Sequence, residues 1–271
     1  MKINVIMTCY NRKDKTLRCI KKLLTNCLDI HFTIVDDNST DGTTSAIEEL
    51  NINKKILRGN GNLFWAGGMR LGIEDCLKEI DNYDYVLLVN DDVDFFQGSI
   101  EHMLGIAAEK TDSVIVGACC DMDGNPTYGA VKLNGILSRK MYRHLSIKEN
   151  DVCADTFNCN AVLIPSDIMK IVGNFDNVYT HNFADYDYGF MLRKAGYGIY
   201  ITPNYVGVCS DDKSLNTWEN HKLTRSERLK LKEMAKGLPQ KEWNHFLLKN
   251  LGFSYFIRYA YSAKIKILLG F

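Results

Sequence analysis

The first half of the chain alternates short apolar runs with segments of helical period, a pattern that few architectures accommodate. The runs are Ile3 to Met7, Phe32 to Val35, Tyr85 to Val89 and Val114 to Gly117. Each has the length of a buried strand. Between them, Lys15 to Leu24 gathers Leu17, Ile20, Leu23 and Leu24 on one helical face, and Gly68 to Ile80 gathers Met69, Ile73, Leu77 and Ile80. Strands joined by helical crossovers form a parallel sheet covered on both faces, so the pattern predicts a doubly wound α/β domain. In such sheets ligands bind beyond the carboxyl ends of the strands. Function is therefore sought in the polar residues that follow each run.

Those exits are carboxylate-rich. The first reads Thr8-Cys9-Tyr10-Asn11-Arg12, the second Asp36-Asp37-Asn38-Ser39-Thr40-Asp41-Gly42, and Tyr85 to Val89 opens into Asn90-Asp91-Asp92-Val93-Asp94. A solvated turn accounts for any one of them alone, because Asp, Asn, Ser and Gly are the common turn formers. Adjacent carboxylates at Asp91 and Asp92 repel unless a cation or donors answer them. A hard divalent ion that bridges to phosphates does so with one or two protein ligands, which makes this Asn90-Asp91-Asp92 exit a metal candidate, with Asp94 in reserve.

Gly59-Asn60-Gly61-Asn62 is no dinucleotide fingerprint, because Phe64 stands where the third glycine belongs and the segment comes too late. Gly67-Gly68 at an expected helix start offers free amides to an anion, with Arg70 one turn on as a phosphate partner. Tight packing of that helix on the sheet explains the glycines equally well. Further on, Asp185 stands at the start of a helix that Gly196 ends, a position that suits an N-cap, and His181 beside it reads as structural.

Taken in order, these residues resemble the family 2 glycosyltransferases over most of residues 1 to 210. Tyr10-Asn11-Arg12 is similar to the family's opening motif, and Val35 through Thr43 to its nucleoside-binding turn. Asn62 through Gly68 and Gly72 resembles the segment leading into the helix beneath the donor. Asn90-Asp91-Asp92 stands at the metal-binding Asp-x-Asp variant, Val172 through Asp176 at the segment before the acceptor side, and Ala184-Asp185-Tyr186-Asp187 at the Glu-Asp-x-Asp stretch, with Arg193 and Gly196 in step.

The resemblance implies a GT-A fold, with a Rossmann-like, mostly parallel sheet flanked by helices. It also implies a nucleotide-sugar donor and an Mn²⁺ or Mg²⁺ ion. Donor binding would fall to Thr8, Tyr10, Asn11, Arg12, Asp36, Asp37, Asn38, Asn62, Gly67, Gly68, Arg70 and Asp91, metal binding to Asp92, and acceptor contacts to Trp65 and Asp187. Asp185 would be the base, since inversion needs the acceptor hydroxyl to lose its proton as it attacks. Ala184 replaces the usual Glu. Where many members carry a metal-binding His, this chain reads Val208-Cys209-Ser210-Asp211-Asp212, so a further ligand would be Asp211 or Asp212, with Cys209 in third place. Trp65 either stacks on donor or acceptor or joins Phe64 in the core.

The charge is zero, with 33 basic and 33 acidic residues, which argues against nucleic acid as a partner. It is also divided. Lys213 to Phe271 carries 12 Lys and Arg against four Glu, leaving +8 on this stretch and −8 before it. We read 1–212 as the glycosyltransferase domain and 213–271 as a basic, mainly helical extension. Thr224-Arg225-Ser226-Glu227 has capping-box spacing, Leu231 and Met234 continue an apolar stripe, Gly237 closes the helix and Pro239 blocks it. Phe253 to Phe271 mixes aromatic and aliphatic residues with Arg258, Lys264 and Lys266. Packing on the body, on another subunit of an oligomer or on an anionic membrane all suit it.

The N-terminal apolar run is too short for a signal peptide, and nine scattered cysteines suggest reduced thiols, so the expected setting is cytoplasmic, at or near the inner face of the cell membrane. Asn38-Ser39-Thr40 is then a chance glycosylation match. The expected reaction is inverting sugar transfer to a hydroxyl of a surface polysaccharide or lipid-linked glycan. The alternatives are a catalytically silent nucleotide-sugar-binding or scaffold protein and a sugar-nucleotide pyrophosphorylase. The latter would want a Gly-rich basic loop after the first strand, whereas Thr8 to Lys15 contains no Gly.

Overall fold

The computed structural model of the chain describes residues 1–26, 29–210 and 217–271. Its strands are β1 (Lys2–Cys9), β2 (Asp29–Asp36), β3 (Lys54–Arg58), β4 (Tyr85–Val89), β5 (Asp94–Phe95), β6 (Ser113–Cys120), β7 (Ala130–Leu133), β8 (Tyr142–His144), β9 (Thr156–Phe157), β10 (Ala161–Pro165) and β11 (Gly198–Val208). The α-helices are α1 (Lys13–Leu23), α2 (Thr43–Glu48), α3 (Phe64–Leu77), α4 (Ser99–Glu109), α5 (Ser166–Val172), α6 (Ala184–Lys194), α7 (Arg225–Lys232), α8 (Gln240–Phe246), α9 (Phe253–Tyr259) and α10 (Ser262–Leu269). A π-helical turn, Leu247–Leu251, links α8 to α9.

The main sheet has the order β3-β2-β1-β4-β10-β6-β11-β5, and β7, β8 and β9 form a small antiparallel sheet. The four expected strands are present in the mostly parallel sheet that the alternation predicts. Four strands of this sheet lay outside that expectation: the short, charged β3 extends the parallel edge, β10 is inserted antiparallel between β4 and β6, β11 pairs parallel with β6, and β5 pairs antiparallel with β11. Side chains alternate across the sheet: Ile6, Leu88, Val116 and Val162 enter one buried cluster, and Val5, Leu87, Ile115 and Leu163 the other.

Register explains why the polar exits meet. β1 and β2 run parallel from Lys2 opposite Asp29 to Cys9 opposite Asp36, while Ile6 of β1 pairs with Leu88 of β4. The three strands therefore end along one edge.

The helix expected from Gly68 begins four residues earlier, at Phe64, so Gly67 and Gly68 lie within α3 and the Gly67 N–H donates to Leu63 O (3.1 Å). Their amides are not an open anion site. Packing is what the glycines of α3 permit: a Cβ at Gly72 would stand 2.6 Å from Cγ2 of Ile6, and one at Gly68 would overlap the Thr8 side chain.

The extension is helical as expected, and its Trp243, Phe246 and Leu247 enter the cluster that holds Ile6 and Leu88. Its details differ from the expectation. α7 has the capping box at Thr224 and Glu227, but it ends at Lys232 and not at Gly237. Met234 is exposed, and the residues buried on α7 are Arg228 and Lys232. Lys232 Nζ donates to Leu238 O (2.8 Å), Glu233 Oε1 (2.8 Å) and Gln240 Oε1 (3.2 Å), which fixes the turn into α8. The described cysteines are all free thiols.

Gly72→Val should lower stability by about 1–3 kcal/mol through overpacking against Ile6. Urea unfolding measures this, with a shifted midpoint and an unchanged slope expected. A midpoint equal to that of the wild type would mean that α3 does not need this close approach.

Candidate active site

A cleft of about 1120 Å³ opens beyond the ends of β1, β2 and β4. The first two exits are laced together. Asn11 adopts φ 51°, its Oδ1 accepts the Thr40 N–H (2.8 Å), and its own N–H donates to Ser39 Oγ (2.9 Å). Asp36 is fully buried under this turn, where it accepts from the Ser39 N–H (3.0 Å) and the Thr44 hydroxyl. Asp37 turns the other way and lines the cleft, its carboxylate accepting from the backbone N–H groups of Gly61 (2.8 Å), Leu63 (2.9 Å) and Phe64 (3.2 Å). Gly59 lies against Asp37 so closely that a Cβ there would overlap it. Gly59 and Gly61 thus support a carboxylate.

The Asp91-Asp92 pair is answered by Arg12, whose Nη1 donates to Asp91 Oδ1 and Asp92 Oδ2, each at 2.9 Å. The two carboxylates have different surroundings. Asp91 is buried, accepts from the Thr16 hydroxyl (3.0 Å), and burial raises its pKa against the opposing pull of Arg12. Asp92 is more open, and its Oδ1 lies 3.7 Å from the Cys209 thiol. Burial lifts the Cys209 pKa to about 12. Asp92, a hard carboxylate that lines the open cleft, fits an ion such as Mn²⁺ or Mg²⁺ that would draw other ligands from phosphate and water. No group of three His, Cys, Asp or Glu side chains among the described residues forms a closed metal cage. Asp211 and Asp212 lie outside the described residues.

Asp185 is the second residue of α6. Phe183 is the N-cap, with φ 67°, so Asp185 is not the cap itself. Its Oδ1 accepts the Tyr186 N–H (2.9 Å) and its Oδ2 the Cys159 N–H (3.3 Å), and the side chain borders the cleft. Burial pushes its pKa up to about 6, with the amide hydrogen bonds pulling the other way. Nearby, Trp65 donates its indole N–H to Asn90 Oδ1 (2.8 Å) and packs 5.8 Å from Phe175, so it is anchored in the wall. His181 accepts the Trp65 N–H at Nδ1 (3.4 Å), and burial lowers its pKa to about 4.

Thr8, Tyr10, Arg12, Asp37, Trp65, Asp91, Asp92 and Asp185 therefore share the cleft. Other expected site residues do not line it. Arg70 is turned away, with Nη1 donating to the carbonyls of Asp176 and Tyr179 (3.2 Å each). Asp187 is fully buried and faces the extension: it accepts from Lys249 Nζ (2.7 Å), Asn250 Nδ2 (2.6 Å) and the Tyr179 hydroxyl (3.1 Å). Both side chains bond to the fold and neither lines the cleft. Asn11, Asp36, Asn38, Asn62, Gly67 and Gly68 also stand behind the lining, as turn or packing residues.

The motifs along the chain gave no sign of the cleft's far rim. It is built by Arg139, Lys140 and Tyr142 from the β7–β8 hairpin, and by Trp218, Lys236, Trp243, Tyr259 and Lys266 from the extension. More than 75 residues separate the two groups in the chain, and no local pattern joins them.

Residues 4–171 match the family model described as "Glycosyl transferase family 2". The curated poly(ribitol-phosphate) beta-glucosyltransferase of Bacillus spizizenii is 22% identical over 238 residues, which make up 78% of this chain and 36% of that protein. The chain thus spans about a third of that relative's length. Among solved structures, mannosyltransferase PcManGT from Pyrobaculum calidifontis, in complex with GDP-Man and Mn²⁺, is similar with a TM-score of 0.60 and 13% identity, over 98% of this chain and 70% of that one. S. aureus TarS 1–349 in complex with UDP-GlcNAc gives 0.59 and 13%, over 98% and 76%.

The raised Asp185 pKa carries a sign that can be measured. The folded state holds this proton up to about pH 6, whereas an unfolded Asp releases it near pH 4, so the stability cost sets in between those values and is complete above them. Asp185→Asn should therefore melt at a higher temperature than wild type at pH 7.5, with the difference closing below pH 4. Equal melting temperatures at pH 7.5 would show that the carboxylate bears no such cost.

Proposed function

The chain belongs to glycosyl transferase family 2, with the GT-A fold, and on that premise we propose that it transfers a sugar from a nucleotide-sugar donor to an acceptor hydroxyl with inversion. The observation that carries this reading is the meeting of Asp185 and the Asp91-Asp92-Arg12 group in one cleft. Asp37 and the turn it braces form the wall for the nucleoside, and the guanidinium of Arg12 is positioned to pair with the diphosphate.

Asp185 takes the proton from the acceptor hydroxyl as that oxygen attacks the anomeric carbon. A pKa of about 6 suits a general base, because the group is ionised near neutral pH yet basic enough to share a proton. Asp92 would hold Mn²⁺ or Mg²⁺ together with the diphosphate, and the ion when bound neutralises the charge that grows on the leaving group. Trp65 is fixed beside these residues and offers a flat wall for a sugar.

The acceptor, in this reading, is a hydroxyl on a surface polysaccharide or a lipid-linked glycan. The curated relative, named for poly(ribitol-phosphate), supports the polymer form. Membrane contact belongs to the proposal through the outer side of the extension. There Phe253, Ile257, Leu269 and Phe271 are 64–70% exposed, among cations such as Lys264. No helix among the described residues is long and apolar enough to cross a membrane.

With Mn²⁺ present, one member of a panel of UDP-, dTDP-, GDP- and CMP-sugars should raise the melting temperature. Asp185→Asn should keep that response and lose transfer by about 10²–10⁴-fold. Wild-type transfer should rise through about pH 6 to a plateau. Unchanged transfer in the variant would remove Asp185 from its role, and no response to any donor would favour a silent scaffold. Flotation with anionic liposomes should fail in Phe253→Ser/Ile257→Ser/Leu269→Ser; equal flotation would discard the membrane contact.

A further inference from the structure

The cleft's far rim carries four cations that form no ion pair with a carboxylate among the described residues. Arg139 and Lys140 sit on the β7–β8 hairpin, Lys236 on the turn before α8, and Lys266 on α10, and all four line the cleft. None of their side chains makes a hydrogen bond or ion pair with another described residue. Arg12, Arg18, Lys55, Lys132, Arg143 and Lys249 are each paired with a carboxylate. On the rim itself the one facing carboxylate among the described residues is Glu219. The other lining carboxylates, Asp37, Asp91, Asp92 and Asp185, are the ones the proposed function gives to the donor, the metal and the base.

The rim is also built to hold its shape. Tyr255 donates its hydroxyl to Asn134 O (2.8 Å), and Arg258 Nη2 (3.2 Å) and the Tyr259 hydroxyl (3.3 Å) donate to Ser138 O. Three hydrogen bonds thus fasten the hairpin bearing Arg139 and Lys140 to α9, the helix that precedes the one bearing Lys266. On α10, Ser262, Ala263 and Lys266 present one helical face to the cleft. All four cations line one cleft. A multiply charged anion in that cleft can pair with more than one of them.

We propose that this rim is the acceptor subsite and that it takes a phosphate-bearing acceptor, with successive phosphates against Arg139 and Lys140 on one side and Lys236 and Lys266 on the other. The inference rests on the reading of the cleft as a transferase site and adds the chemical class of its second substrate. Tyr142 and Tyr259 on the same rim provide flat faces for the polyol or sugar between phosphates. The phosphates belong either to a soluble polymer or to a lipid headgroup. The cleft, closed on two sides by hairpin and helix, favours the polymer.

The test is direct binding to the full chain and to two double variants, Arg139→Gln/Lys140→Gln and Lys236→Gln/Lys266→Gln. The probes are a polyol-phosphate oligomer, an uncharged oligosaccharide of the same length, and phosphatidylcholine vesicles with and without phosphatidylglycerol. The expected result is binding of the oligomer and not of the uncharged oligosaccharide, weakened by at least about tenfold in each variant and by rising salt, with vesicle binding through the outer apolar side of the extension the same in variants and wild type. Binding only to phosphatidylglycerol vesicles, lost in both variants, would assign the same phosphate chemistry to a lipid. Wild-type binding to no anionic probe, equal binding of the uncharged oligosaccharide, or variants that bind like wild type would overturn the proposal. Donor-induced melting shifts on the same samples report folding and test the transferase reading separately, so the two can fail independently.

Discussion

A fully buried carboxylate governs how this chain comes together. Asp187 lies two residues beyond Asp185 on α6 and points into the protein, where an unpaired charge would be costly. It is answered by Lys249 and Asn250 from the extension and by the Tyr179 hydroxyl. Lys249 is shared with Asp176, and with help from the Val178 amide and His245 it overcomes the desolvation there and holds that carboxyl at about 2. The 176–179 segment in turn lends two carbonyls to Arg70 of α3. One chain of polar contacts therefore runs from the helix under the cleft, through α6, to the extension. The orientation of Asp185 depends on it, because the same helix that offers Asp185 to the cleft is clamped from behind through Asp187.

A second clamp works at the strand exits. Arg12, leaving β1, bonds both carboxylates that leave β4, so two adjacent strands are tied at their ends by the residues that line the cleft. Asp91 supports from below with Thr16, and Asp92 stays accessible. A guanidinium between two carboxylates keeps the group in place before any substrate arrives, and it remains a cation available to phosphate. Such preorganisation lowers the cost of binding a charged ligand.

Sequence made the parts of the site visible where local pattern decides the outcome. Apolar runs of four or five residues marked strands, and parallel register then obliged their polar exits to meet. Where long-range packing decides, the residues gave no warning. β3, written as Lys-Lys-Ile-Leu-Arg, looks too polar for a strand until β2 is beside it. Phe64 opens α3 at φ 53°, a conformation enforced by its N–H bonding to Asp37, so helical periodicity placed the start four residues late. Arg70 and Asp187 have the chemistry of site residues but point away, and only the fold decides which way a helix turns its faces.

The division into an acidic body and a basic extension takes on its meaning from those contacts. The +8 of the extension is not one surface. Lys249 is spent on Asp176 and Asp187, while Arg228 and Lys232 are buried and donate to carbonyls within the extension. Only what remains faces outward or into the cleft. The acidic body needs part of that charge to bury α6, and once α6 is buried the extension's helices must lie where Trp243 and Phe246 meet the core. That position brings Lys236 and Lys266 into the lining of the cleft that Asp185 also borders. A charge imbalance that first serves to dock one segment on another thus also sets the electrostatics of the cleft between them.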